Sequence, residues 1–361
     1  MIASVKRAIK IFLAIVLYYS GLLAGLSFLK KIFYNRGNFV ILMYHRVLDE
    51  NSGERDYIQP GLYVSRRVFE KQIAYLSKKC NLLSLGELAE LLICKQRIPP
   101  KSLVITFDDG WRDNYLYAFP ILKKYHVPAI IFLTTDYIGT NSIFWFLKAS
   151  ILVTNSKLSK AQLGELIDKY ESGMNSTKTL PDGKSEEASS ILSDRDWFIE
   201  RLKQVDPKNI PAVLKELSAQ NGPAADTVKE DRSMLAWEEV IEMNRNGVDF
   251  GSHGCSHGIM PALTDAEIQR ELMESKGIIE RKLGRKINLF AYPNGDYSSH
   301  VIELVSRSGY ICALATKEKN KPESDMNIYS LTRINVHDGV SVGLTGNFSP
   351  ALFRFHILRN S

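Results

Sequence analysis

A chain of 361 residues has room for two or three average domains, or for one barrel carrying insertions. Hydrophobic residues at 45% and charged residues at 24% match globular averages, which excludes a largely disordered, collagenous or multi-span membrane protein. The 46 Lys and Arg against 40 Asp and Glu give a net charge of +6 without the basic blocks of a nucleic-acid binder, and four cysteines with no CxxC pair exclude a disulfide-stapled scaffold.

The first element is the uncharged run from Ile11 to Leu29, about 28 Å long as a helix. It predicts a single N-terminal anchor within residues 1–36 and a location at the cell membrane. Tyr18, Tyr19, Ser20 and Gly21 interrupt the run, so a helix lying in the interface is the alternative. Lys6, Arg7 and Lys10 on one side are matched by Lys30, Lys31 and Arg36 on the other, which leaves the side of the following domain undecided. Short apolar runs then recur at Phe39 to Tyr44, Leu103 to Phe107, Ala129 to Leu133, Val248 to Phe250, Ile287 to Tyr292 and Tyr310 to Ala315, and these read as buried strands. Helical periodicity separates them, as in Val68 to Lys79 and in Ile268 to Leu283 before Gly284, while Thr106 to Thr134 reads as a strand, a helix broken near Pro120 and a second strand. The alternation predicts an α/β fold with a largely parallel sheet over residues 37–340. Residues 140–230 break the rhythm and read as a mainly helical insertion, with a mobile loop at Gly173 to Ser190, and residues 341–361 read as a C-terminal tail.

Ionisable residues fall just beyond the strands. His45 follows the first, Asp108 and Asp109 the second, His253 and His257 the Val248 run, and Tyr292-Pro293-Asn294-Gly295 the Ile287 run. In a parallel sheet those carboxyl ends share one face, so distant segments converge on one pocket. Two imidazoles four residues apart can reach one cation, and with a carboxylate they make a three-ligand site that leaves positions for water and substrate. Adjacent carboxylates repel unless a cation, a proton or a hydrogen-bond network neutralises them, so the aspartate pair fits the same site.

The series Thr106-Phe107-Asp108-Asp109-Gly110, His253-x-x-x-His257 and Phe290-Ala291-Tyr292-Pro293-x-Gly295 resembles the polysaccharide deacetylase family, the NodB-homology or carbohydrate esterase family 4 enzymes. Met43-Tyr44-His45-Arg46-Val47 adds a likeness to its branch of biofilm poly-N-acetylglucosamine deacetylases. The resemblance implies a distorted, incomplete (β/α) barrel and a divalent metal, zinc before cobalt, nickel or manganese. It implies hydrolysis of N-acetyl groups on a polysaccharide or a lipid-linked amino sugar. By position, Asp109, His253 and His257 would bind the metal and Asp108 would be the general base. Tyr292, Pro293, Asn294 and Arg333 are assigned to substrate binding: backbone N–H groups near Tyr292 would face the oxyanion, and the Tyr292 ring is the first choice, before Trp111 and Trp145, to stack on a sugar.

Several positions depart from the family pattern. The strand that would carry a late histidine reads Ile311-Cys312-Ala313-Leu314-Ala315-Thr316, which leaves His45, then His337, as candidates for the general acid. Ala291 stands where an arginine would orient the base, and Arg333 or Arg46 could replace it in space. Gly254 replaces a hydroxyl residue after the first histidine, and Cys255 reads as a loop filler. Gly339-Val340-Ser341-Val342-Gly343 matches a serine-esterase pattern, but no acid follows Ser341 to complete the triad order. A carbohydrate-binding barrel without turnover is the non-enzymatic alternative.

Overall fold

Each short apolar run from Phe39 onward has too few residues to bury itself, and in a computed structural model these runs assemble side by side. The structure describes residues 11, 13–20, 22, 39–170, 193–221, 232–316 and 326–360. Its strands are β1 (Phe39–Tyr44), β2 (Arg46–Leu48), β3 (Tyr63–Ser65), β4 (Asn81–Leu82), β5 (Ser102–Phe107), β6 (Ala129–Leu133), β7 (Val248–Ser252), β8 (Leu289–Ala291), β9 (Cys312–Ala315), β10 (Leu331–Thr332) and β11 (Ile334–Asn335). The main sheet is parallel throughout, in the order β10-β9-β8-β7-β6-β5-β1-β11.

The two ends of that order belong to one segment. Leu331 and Thr332 pair with β9, while Ile334 and Asn335 pair with β1. Residues 331–335 therefore bring both edges of the sheet together, and Arg333 stands between the two half-strands. The result is a nearly closed (β/α) barrel. Strand side chains alternate in direction. Ile41, Val104, Phe132, Leu289, Ala291, Leu314 and Leu331 share one buried cluster with Leu85, Leu88 and Ala89 of the helix Leu85–Ile93. Phe290, Tyr292, Ala313 and Ala315, of opposite parity, pack with Leu272, Val301 and Val305 of the helices Asp265–Leu283 and Ser299–Arg307.

Local chemistry accounts for the helix ends. Thr264 and Glu267 form a capping box at the start of Asp265–Leu283, and Gly284 ends it in the left-handed conformation. The expected break near Pro120 is a π turn at Asn114–Ala118 that leads into the helix Phe119–Tyr125, with the proline in the first turn, where no N–H is needed. Ser341 is buried and accepts a hydrogen bond from Gln72 Nε2 at 2.8 Å.

Residues 52–59 and 141–232 form a second compact unit. Its helices Trp145–Thr154, Lys160–Asp168, Asp194–Leu202 and Ile210–Asn221 bury Leu152, Leu163, Phe198, Leu202 and Leu217 in a core of their own. Gly173 to Ser190 lies outside the described residues.

The expectation of a membrane anchor is overturned: among the described residues, no helix is long and apolar enough to cross a membrane. Within the run Ile11 to Leu29, the described Ile11 and Ala14 are buried with Leu352, and Phe355 packs against them, both from the helix Pro350–Asn360. Apolar side chains assigned to lipid from hydropathy thus cover another helix of the same chain. The location at the cell membrane, which rested on that anchor, goes with it; most of residues 1–38 lie outside the described residues.

Candidate active site

The register of the barrel sets His45, Asp108 and His253 one residue beyond β1, β5 and β7 respectively. Tyr44 pairs with Phe107, and Leu133 of β6 pairs with Ser252. These residues therefore line one rim. Parity then decides which side chains point inward. Asp108 continues the Val104-Thr106 series, and Arg333 continues the parity of Leu331.

Asp109, His253 and His257 form one group whose donor atoms all lie within 4.8 Å of one another. His253 Nε2 is 3.5 Å and His257 Nε2 3.4 Å from the same oxygen, Asp109 Oδ1. The other oxygen, Oδ2, accepts a hydrogen bond from Trp111 Nε1–H at 2.8 Å. Oδ1 itself is buried and has no hydrogen-bond partner. His253 Nδ1 lies 2.7 Å from the carbonyl of Ala291, which can only accept, so the proton resides on Nδ1 and the Nε2 lone pair faces Asp109. A buried carboxylate oxygen without a donor and two imidazole nitrogens turned toward it fit a divalent cation, and the mixed N,O set suits zinc and its first-row neighbours.

Backbone strain accompanies this geometry. Asp109 has φ +77° and His257 φ +63°, conformations that non-glycine residues seldom adopt. Gly110 follows at φ +86°, and a Cβ there would come within 2.7 Å of Ile138. Burial works against the charged forms here, but the His253 and His257 imidazoles beside it hold the Asp109 carboxyl well below the ordinary carboxylate range. Burial likewise disfavours His253 imidazolium, yet Asp108 and Asp109 outweigh it and raise its proton affinity. Protons and a cation therefore compete for the same atoms.

Asp108 is 2% exposed and is gripped by Arg333 through two parallel contacts, Nη1 to Oδ1 at 2.6 Å and Nη2 to Oδ2 at 2.7 Å. Arg333 Nη1 also reaches Thr106 Oγ1, and its Nε donates to the Ala315 carbonyl, both at 3.3 Å. Burial alone would push the Asp108 carboxyl up; Arg333 more than offsets it and keeps the group ionised. Arg333, offered by the sequence both for substrate contact and as the replacement for the base-orienting arginine, makes its charged contacts with Asp108. Arg46 pairs with Asp113, Nε to Oδ2 at 2.7 Å.

The loop carrying both imidazoles is braced by Glu271, which the sequence reading missed. Its carboxylate accepts from Cys255 N at 2.6 Å, from Ser256 N at 3.0 Å and from Ser256 Oγ at 2.6 Å. Gly254 has φ +80°, and a Cβ there would lie 2.6 Å from Glu271 Oε2, so the loop has no space for a hydroxyl residue at this position. Cys255 is buried and its thiol is pushed up to about 11 by burial, in keeping with a packing role. Replacement E271A is expected to lower the unfolding free energy by about 2 kcal/mol, since the buried Cys255 N–H loses its acceptor. Urea denaturation checks this, and an unchanged midpoint would reject the brace.

His45 has a buried Nδ1 with no hydrogen-bond partner. Burial depresses its proton affinity, against the pull of Asp109 and Asp108. His337 serves as an N-cap, its Nδ1 accepting from Gly339 N at 3.2 Å. The Tyr292 ring, expected to stack on a sugar, is fully buried: it shares the outward parity of Phe290, and its hydroxyl donates to the Tyr329 carbonyl at 2.8 Å. Its N–H is likewise committed, to Leu314 O at 3.0 Å. Pro293 is buried; Asn294 is exposed at φ +58°, its Nδ2 donating to Asp296. Trp111 is 2% exposed and offers no open face, and Trp145 is partly buried, packed against the helical core of the second unit.

A family model described as polysaccharide deacetylase matches residues 95–313. A poly-beta-1,6-N-acetyl-D-glucosamine N-deacetylase of Staphylococcus epidermidis is 27% identical over 261 residues, covering 68% of this chain and 82% of that protein. Among solved structures, the Streptococcus pyogenes deacetylase PplD in complex with acetate aligns with a TM-score of 0.55 at 18% identity, over 88% of this chain and 97% of the other. IcaB from Ammonifex degensii aligns with a TM-score of 0.52 at 18% identity, over 90% and 97%. At these identities the two structures establish the fold.

Proposed function

This chain belongs to the polysaccharide deacetylase family, and from that footing we propose that it is a divalent-metal hydrolase removing N-acetyl groups from a β-1,6-linked N-acetylglucosamine polymer. The observation that carries the reading is the convergence of Asp109 Oδ1 and two imidazole Nε2 atoms on the rim that also holds an ionised Asp108. The polymer class is supported by the name of the Staphylococcus epidermidis relative.

Asp109, His253 and His257 would hold the metal, which when bound polarises an amide carbonyl and lowers the pKa of water. The remaining work falls to side chains of the chain itself. Asp108, with Arg333 fixing its plane, takes one proton from the attacking water as the new C–O bond forms. The C–N bond then breaks as the leaving nitrogen takes a proton from His45, which must enter this step as imidazolium; burial lowers its proton affinity, so that form is scarce but gives up its proton readily. Acetate and a free amine result.

Acetate release and glycan mass are to be followed on β-1,6-linked acetylglucosamine oligomers, chitooligosaccharides and a lipid-linked acetylglucosamine, before and after chelation. Release from the β-1,6 oligomers, lost with chelator and restored by Zn²⁺, is expected. Bound Zn²⁺ without turnover on any of these would favour the carbohydrate-binding alternative, which the absence of histidine from β9 recommends. Turnover on the lipid-linked sugar alone would replace the substrate class.

A further inference from the structure

Between the rim and the protein interior, Trp111 connects Asp109 to a buried ion pair. Its indole N–H donates to Asp109 Oδ2 at 2.8 Å, and the Arg46 guanidinium lies 4.4 Å from the ring centroid. Arg46 and Asp113 are each 5% exposed. Asp113 Oδ1 in turn accepts from Val47 N at 2.9 Å and from Asn114 Nδ2 at 3.1 Å, and the same Asn114 amide donates to the His45 carbonyl at 2.9 Å. The indole is also held through its backbone, which bridges to Met234.

A carboxylate has two oxygens, and a cation can take one or both. Here one is already engaged by a neutral donor in a fixed position, while the other faces two imidazole nitrogens. We propose that Trp111 is a positioning residue that restricts Asp109 to a single metal-binding oxygen, Oδ1, and that Arg46 holds the indole in the orientation required. The inference rests on the metal reading above and adds a determinant of affinity. Partners that orient a ligand typically contribute 10–100-fold to metal affinity. The guanidinium against the ring face adds a cation–π contact in a desolvated setting, where such contacts are strongest.

The test measures Zn²⁺ affinity of the metal-stripped full chain by competition with a chromophoric chelator. W111F is expected to weaken Zn²⁺ binding about 10-fold, with circular dichroism unchanged, and to abolish any Zn²⁺-dependent change in tryptophan emission that arises at position 111. Should W111F fail to fold, incorporation of benzothienylalanine at position 111 keeps the ring volume and removes only the N–H donor. Its affinity loss is expected to match. Wild-type affinity in either folded variant would overturn the proposal while leaving the metal site intact. Failure of the wild type itself to bind Zn²⁺ would overturn the metal reading, and this proposal with it.

Discussion

D108N is expected to reduce acetate release about 1000-fold while Zn²⁺ stoichiometry stays at the wild-type level. An asparagine fills the same space and still accepts hydrogen bonds, but it takes no proton from water at neutral pH, so the step that generates the nucleophile loses its base. The proposed metal ligands are Asp109, His253 and His257, whose contacts with one another do not pass through the Asp108 carboxylate. Steady-state acetate kinetics paired with metal analysis separates the two roles. Wild-type turnover in D108N would remove Asp108 as the base. Loss of metal together with activity would instead make it part of the ligand set.

R333M is expected to lower the unfolding free energy by about 3–5 kcal/mol and to reduce turnover as well. The methionine keeps much of the buried volume, but it strands the carboxylate of Asp108, 2% exposed, with neither of its two short contacts. Burial then pushes that group toward its neutral form, so the base is lost together with the stability. Urea unfolding gives the first effect and acetate kinetics the second. The double variant D108N/R333M separates charge from volume: it should recover part of the stability, because no ionised group remains buried there, and none of the activity. A stability loss in R333M below about 1 kcal/mol, the scale of an exposed pair, would show the contact to be of little energetic weight.

Much of the rim was legible from the sequence because strand ends and motif order are local information. A run such as Leu103 to Phe107 that stops at two aspartates announces a carboxyl end, and parallel pairing gathers such ends. Side-chain direction was less legible for Tyr292. Its parity with Phe290 turns it toward the outer helices, a consequence that follows only once β8 is known to be Leu289–Ala291 and its inner residues to be Leu289 and Ala291. Glu271 had a signal that went unused: a carboxylate on the stripe of Ile268, Leu272, Ser275 and Ile279 is buried by periodicity and therefore needs donors. The grip of Arg333 on Asp108 was at most a guess, since the partner lies across the barrel and no spacing rule links the two positions. Hydropathy misled at the N-terminus because it reports which side chains avoid water, not whether lipid or another helix, here Pro350–Asn360, covers them.

The segment 331–335 is among the last parts of the barrel to leave the ribosome, and it supplies the counter-ion of Asp108, the proposed base. A growing chain that ends short of it already possesses both aspartates and both imidazoles, yet its Asp108 has no guanidinium to pair with and fix its carboxylate. Competence for hydrolysis is therefore expected to arrive with that segment, so that forms with the barrel unclosed stay chemically silent through topology.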